Sequence, residues 1–362
     1  MAISAATAAD VVASSLENFN NPDDPKLILQ GVADKPLLRD LLANKMEFDA
    51  AGSGPNATSP ANYREPVQFA LMRDQPGNYA GWSADDVLAF KASDGALQTT
   101  CPIRGMHAGL KINHEELSYQ GVTVIDNKAG APAKNDRVIL FKALELKKAD
   151  YFESLQDGRQ KTLWADGTQD AKAIAGIKSI ILDDPTAAGN TLGISRANPR
   201  WRNIADTGVG GAGAALSYSK SDHSLTERLN RVILVEVPRY GGRLDTAYAG
   251  SDVIDALIKE MQAKGMNTVD GWTDKYTDVA VSGVRFKNLN IEYDPYLDLI
   301  GEAKSIYAWD SRHLKLRPQK NQWGKVTAQN QPYDQFVMLT STTDRAVLTC
   351  RKLDACYKGI MN

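Results

Sequence analysis

The spacing of apolar and polar residues changes period several times along the chain, and each change marks an element. From Asp136 to Trp164 there is no proline, and Phe141, Leu144, Tyr151, Phe152 and Leu155 share one stripe. Lys147, Lys148, Asp150 and Glu153 fall mostly elsewhere, which is the pattern of an amphipathic helix. A helix of about 29 residues spans roughly 43 Å at 1.5 Å per residue. Asn135 or Asp136 can cap its start, and Gly158 weakens its last turns. Few small domains need so long a strut, whereas a building block of a large shell does.

Upstream, Ala8, Val12, Leu16 and Phe19 recur at helical spacing until Asn20–Pro25 breaks the pattern. Asp34 as cap and Pro36 in the first turn predict a second short helix, with Leu37, Leu38, Leu41 and Leu42 on its apolar face. Ala50–Ala61 reads as loop. Val67–Leu71 alternates like a strand, Asp74–Asn78 and Asp94-Gly95 are turns, and Ala96–Ile103 returns as a strand. The whole predicts a long two-stranded projection, marginal when isolated. It lies either on another subunit or on its own domain, and the sequence leaves both open. A strand over Met106–Leu117 and a loop over Gly121–Ala133 precede the long helix.

Beyond residue 170, helices and strands alternate. Ser224–Val237 begins as helix, and its Val232-Ile233-Leu234-Val235 run predicts a strand ending. Ser251–Lys264 is a helix stopped by Gly265. Val279–Val281 and Val284–Phe286 read as paired short strands, and Ser305–Trp309 as a central strand. Gln335–Ser341 and Ala346–Arg351 read as two extended segments joined near Thr343-Asp344.

Composition narrows the function. The 362 residues suggest two or three domains, and 43% hydrophobic content supplies a sizeable core. A net charge of −2 gives no global basic field to draw the chain to nucleic acid or anionic lipid. No apolar run approaches the 18 residues of a membrane span, and the first residues lack the pattern of a secretory signal. Cys101, Cys350 and Cys356 form no CxxC pair, so they read as three reduced packing residues.

No catalytic constellation stands out. Gly208–Gly213 matches GxGxxG, but the flanking residues are polar and give no strand-turn-helix setting, so a loop is expected. His107, His114, His223 and His313 share no metal-ligand spacing. Asp183-Asp184 before Pro185 reads as a turn. The basic stretch Arg312–Lys320 reads as phosphate contacts or as charges on a strand edge. Trp201 between Arg200 and Arg202 reads as an interface anchor or as a core tryptophan flanked by surface arginines.

The order of these segments resembles the major capsid proteins of tailed bacteriophages, whose α+β fold is named after a Hong Kong phage. An arm, a hairpin ending near Thr100, a strand around Gly109–Ile112 and a long helix follow one another. Then come Gly176-Ile177 and the stretch Gly189–Asn203, closed by Trp201-Arg202-Asn203. Ala303–Leu316 is similar to a late strand pair, and Leu348–Ile360 to a closing strand and tail.

The resemblance implies an N-terminal arm (1–61), an extended loop (62–104) and a peripheral domain with the spine helix (105–170). An axial domain (171–320) and return strands of the peripheral domain (321–362) complete it. It implies a non-enzymatic, cofactor-free subunit of hexamers and pentamers in an icosahedral virion capsid, assembled in the host cytoplasm around double-stranded DNA. Portal, scaffold and decoration proteins are the implied partners, and no membrane is involved. Tyr79 and Trp82 are the expected hairpin contacts and Trp201 the expected anchor in the axial domain or its border. Some relatives cross-link subunits through Lys–Asn isopeptide bonds, and Lys91, alone between Asp49 and Arg104, would be the donor. Alternatives are an encapsulin-like nanocompartment of the same fold, an α/β enzyme using His223 or His313, and a monomeric binding module.

Overall fold

Period-two burial sets the first pair of strands in the computed structural model: Tyr63, Glu65 and Val67 point inward, while Arg64 and Pro66 are exposed. The structure describes residues 34–48, 62–68, 83–85, 96–113, 150–219, 222–263, 283–286, 289–327 and 337–362. In chain order the strands are β1 (Asn62–Gln68), β2 (Ala96–Pro102), β3 (Arg104–Asn113), β4 (Asn190–Thr191), β5 (Ile194–Ser195), β6 (Ile204–Asp206) and β7 (Thr246–Ala249). There follow β8 (Gly283–Phe286), β9 (Leu289–Tyr293), β10 (Ser305–Trp309), β11 (Leu314–Pro318), β12 (Lys325–Val326), β13 (Val337–Cys350) and β14 (Cys356–Ile360).

The chain divides into two units. The larger takes Asp34–Met106, Arg159–Trp323 and Asp344–Asn362. Its centre is a six-stranded sheet in the order β6-β14-β10-β7-β9-β8. β10 is buried along its whole length, as its apolar sequence predicts. Ile306 and Ala308 face an aliphatic core with Leu225, Leu229 and Val253 from the helices Ser224–Arg231 and Ser251–Ala263, and with Val232 just after the first of them. The alternate residues Tyr307 and Trp309 stack with Trp164, at 5.1 and 6.5 Å between ring centres. β14 pairs inside this sheet, antiparallel to β10 and parallel to β6.

In the smaller unit the described residues are 107–113, 150–158, 324–327 and 337–343. There Tyr151 donates its hydroxyl to Ala108 O (2.9 Å) and accepts from Thr342 N (3.0 Å). β12 pairs with Thr342 and Thr343. Phe152, expected on the apolar stripe, is 48% exposed, whereas Leu155 is buried. Helix is described over 150–164; the expected earlier turns, 136–149, lie outside the described residues.

Three sequence expectations change. The Val232–Val235 run is not a strand: Val232–Glu236 forms a π-helical turn that continues the helix into Val237–Arg239. Pro238 explains it, since a proline has no N–H for the i−4 carbonyl and its ring clashes there, which a wider turn relieves. The buried positions Leu225, Leu229, Val232 and Val237 keep one inward stripe only because the last gap is five residues. β13 runs unbroken through Thr343-Asp344, because Asp344 is buried in a two-pronged ion pair with Arg159 (2.8 and 2.7 Å). β8 pairs antiparallel with β9; the expected partner Val279–Val281 lies outside the described residues. At Pro36–Ala43, Lys35 holds the cap position and its N–H donates to Asp34 (2.8 Å).

Candidate functional site

The strand pair β1–β2 is the feature to explain, because a lone two-stranded ribbon has no core of its own. Its register is antiparallel, with Tyr63 opposite Cys101, Glu65 opposite Thr99 and Val67 opposite Leu97. Three kinds of contact seat it in the larger unit.

The first is apolar. Tyr63 and Cys101 pack with Phe48 and Val347, and Leu192 closes the cluster. Phe48 is held there by backbone bonds to Pro318 O (3.1 Å) and from Lys320 N (2.9 Å). Burial pushes the Cys101 thiol up to about 12, so it is an inert packing residue.

The second is ionic. Glu65 is 0% exposed at the middle of the inward face. Its Oε1 accepts from Arg317 Nη2 at 2.7 Å and from Arg351 Nε. Arg317 also donates Nε to Thr349 Oγ1 (3.0 Å) and lies 5.3 Å over the Tyr63 ring. Thr99 donates its hydroxyl to Glu65 O (3.2 Å). A buried carboxylate is tolerable only when paired in this way. Within the basic stretch Arg312–Lys320, Arg317 is thus buried and spent on Glu65 rather than offered to phosphate.

The third is a tight turn. Thr191 and Ile194 pair across Leu192 and Gly193, both at positive φ (50° and 82°), the two-residue turn that suits a right-twisted hairpin. Leu192 O accepts from Thr100 N at 2.8 Å. A Cβ on Gly193 would stand 3.0 Å from the Thr100 side chain, so only glycine permits this close approach.

Trp201 anchors that turn. Its side chain is 0% exposed and its Nε1 donates to Thr191 O at 2.8 Å. The indole is buried within the subunit. The flanking arginines act locally too: Arg200 lies 5.0 Å over Tyr240, and Arg202 donates to Arg196 O (2.7 Å). Asn203 completes the trio by bonding both backbone groups of Leu182 (2.9 and 3.2 Å). Tyr79, Trp82 and Lys91 lie outside the described residues.

Buried polar groups join the remaining pieces of the larger unit. Asp294 accepts from Gln160 Nε2 (2.7 Å), Trp164 Nε1 (2.7 Å) and Tyr296 N (2.9 Å). Desolvation nevertheless pushes its carboxyl up to about 6, against the bonds from Tyr296 and Trp164. Gln160 in turn accepts from Leu38 N (2.9 Å), and Tyr248 donates to Asp40 (2.6 Å), so Pro36–Ala43 is tied down beside the aromatic core. Lys358, 1% exposed, is paired with Asp183 and, at 3.5 Å, with Glu302. Burial raises the Glu302 carboxyl, but Lys358 and Lys178 outweigh it and hold it below its usual range.

The other candidates resolve simply. A strand, β6, does precede Gly208–Gly213, contrary to the polar reading. No helix follows directly: Gly213 N returns to Ala205 O (2.7 Å), and Gly208 and Gly210 take positive φ. Asp184 accepts from Thr186 N and Oγ1 in the expected turn. His313 lies 3.8 Å from Asp310, whose oxygens are already gripped by Arg312. Among the described residues, no helix is long and apolar enough to cross a membrane. The adjacent Leu234 and Val235 are 52% and 57% exposed on the π-turn.

No family model and no curated protein matches this sequence. Solved structures match over nearly the whole chain. The capsid chain of cyanophage A-1(L) superposes with a TM-score of 0.57 at 14% identity, covering 94% of this chain and 96% of that one. A capsid chain of the native GTA particle gives 0.51 at 14% identity, covering 99% of each. The holo-SrpI encapsulin of Synechococcus elongatus PCC 7942 gives 0.50 at 10% identity, covering 99% and 96%. The architecture just described, with its six-stranded sheet and seated strand pair, is shared with these chains, and this chain has the Hong Kong phage-type fold of tailed-phage capsid proteins.

Proposed function

We propose that the chain is a major capsid protein that assembles into hexamers and pentamers of an icosahedral phage head enclosing double-stranded DNA. The supporting observation is the near-complete overlap with the cyanophage A-1(L) capsid chain, at a TM-score of 0.57. The seat of β1–β2 fits this reading, because it fixes both ends of the segment whose sequence reads as an extended loop. The adjacent exposed pair Leu234 and Val235 fits it too, since such apolar surface is suited to burial on association. The near-neutral charge leaves an inner wall that does not bind DNA tightly enough to impede its packing or release. In this reading Tyr79 and Trp82 contact neighbouring subunits, and the subunit has no catalytic role. Small differences at equivalent contacts let one chain form both five-fold and six-fold rings.

The likeness to the encapsulin chain favours a second reading, a nanocompartment shell. The contents separate the two: electron microscopy and nucleic-acid analysis of particles from the native source give packaged DNA in the first case and a packaged enzyme in the second.

A further inference from the structure

Cys350 ends β13 and Cys356 begins β14. Between them the chain makes a single 3-10 turn, Leu353–Ala355. Both thiols are buried, at 0% and 1% exposure, and their Sγ atoms stand 3.9 Å apart. The cross-strand partners are Leu314 for Cys350 and Trp309 for Cys356, so the pair sits in apolar surroundings. The other contact of Cys356 Sγ is a weak one to Lys352 O at 3.8 Å. Among the described residues no His, Cys, Asp and Glu group is suited to a metal, so the two sulfurs face each other without a cation to explain them. A disulfide needs about 2.0 Å between sulfurs, and side-chain rotation supplies the remaining closure.

We propose that Cys350 and Cys356 are an oxidative modification site that forms a reversible intrachain disulfide by exchange with a small-molecule disulfide such as oxidised glutathione. One cysteine thiolate attacks the glutathione disulfide, displacing one glutathione thiolate and leaving a mixed disulfide. The second cysteine thiolate then attacks the protein sulfur of that bond and displaces the second glutathione. The two protons lost by the cysteines end on the two departing thiols, so the protein is oxidised by two electrons and glutathione is reduced by two. The product ties β14, an interior strand of the six-stranded sheet, to the end of β13, and so resists fraying of the C-terminal segment.

Burial also sets the rate. The hydrogen bond with Cys350 and desolvation hold the Cys356 thiol well above its usual range. Both sulfurs are also shut away from a bulky oxidant, so exchange waits for the turn after Cys350 to open. The bond therefore forms slowly in the folded subunit and persists in an oxidising medium.

The full-length subunit is incubated with oxidised glutathione at graded urea concentrations below its unfolding transition. It is then denatured with an alkylating agent and mapped by mass spectrometry. The expected result is loss of two free thiols per chain, a Cys350–Cys356 cross-linked peptide, and an alkylated Cys101. The oxidised chain melts a few degrees higher than the reduced one and reverts with dithiothreitol. Cys101→Ala leaves the cross-link intact and guards against failure of Cys350→Ala or Cys356→Ala to fold. Three free thiols throughout, a cross-link through Cys101 or between chains, or a cross-linked chain that melts no higher would each overturn the proposal.

Discussion

Replacing Glu65 by Gln keeps the shape of the side chain and removes its charge, which isolates what the buried ion pair does for the seat of β1–β2. Arg317 has a side chain only 6% exposed, so its guanidinium cannot turn to water when its partner is neutralised. Removing one member of a buried pair costs about 3–5 kcal/mol. Arg317 keeps its bond to Thr349 and the face of Tyr63, which places the loss near the lower end, about 3 kcal/mol, or roughly a hundredfold in the folding equilibrium. Arg351 is 49% exposed, so Arg351→Ala costs under about 1 kcal/mol. The assay is urea unfolding of the unassembled subunit as a double-mutant cycle with Glu65→Gln and Arg317→Met. Each single change leaves a buried charge with fewer partners, so the double variant is less destabilised than the sum by about 2 kcal/mol. A coupling below about 0.5 kcal/mol, or a Glu65→Gln chain as stable as the parent, would refute the claim that this pair holds the strands in place.

Three further outcomes follow from the same geometry. The Asp294 carboxyl, raised to about 6 from an unfolded value near 3.9, binds its proton more tightly in the folded chain. Its contribution is full below about pH 4 and is lost as pH rises through about 6. Unfolding free energies from urea titrations between pH 4 and 7 should therefore fall by about 1–3 kcal/mol more for the parent than for Asp294→Asn, and parallel profiles would contradict this. Trp201→Phe removes the donor to Thr191 O, costs about 1–3 kcal/mol and speeds hydrogen exchange at the Thr100 amide, which Leu192 O holds; unchanged exchange there would show that Trp201 does not govern the turn. Deleting residues 1–30 leaves a soluble subunit that makes no closed shells by electron microscopy, and normal particles would remove the arm from the assembly mechanism.

Much of the larger unit could be read from residue pattern because its signals are local. The Ser305–Trp309 run is apolar after its first residue and forms a strand buried on both faces. The Ser251–Ala263 helix and the Pro36 opening of Pro36–Ala43 rest on residue pattern and a first-turn proline, signals that act within a few residues. What escaped reading is long-range. Glu65 and Arg317 are 252 residues apart, and nothing near either says that a charged residue will face inward. Asp344 looked like a break between strands because its partner, Arg159, lies 185 residues away. The Val232–Val235 run has the composition of a strand, and only Pro238 hinted at the π-turn that keeps it helical. The three cysteines read as unrelated packing residues, since their spacing does not reveal that the turn after Cys350 brings two sulfurs to 3.9 Å. Trp201 carried both readings, interface and core, and no local signal told that its indole would be buried with a bond to Thr191 O.

Assembly is the central claim, and the purified full-length chain tests it directly. At micromolar concentration, negative-stain electron microscopy beside size-exclusion chromatography should show rings of five and six subunits or closed icosahedral shells. A monodisperse monomer that forms neither, under conditions where the chain is folded, would contradict the account.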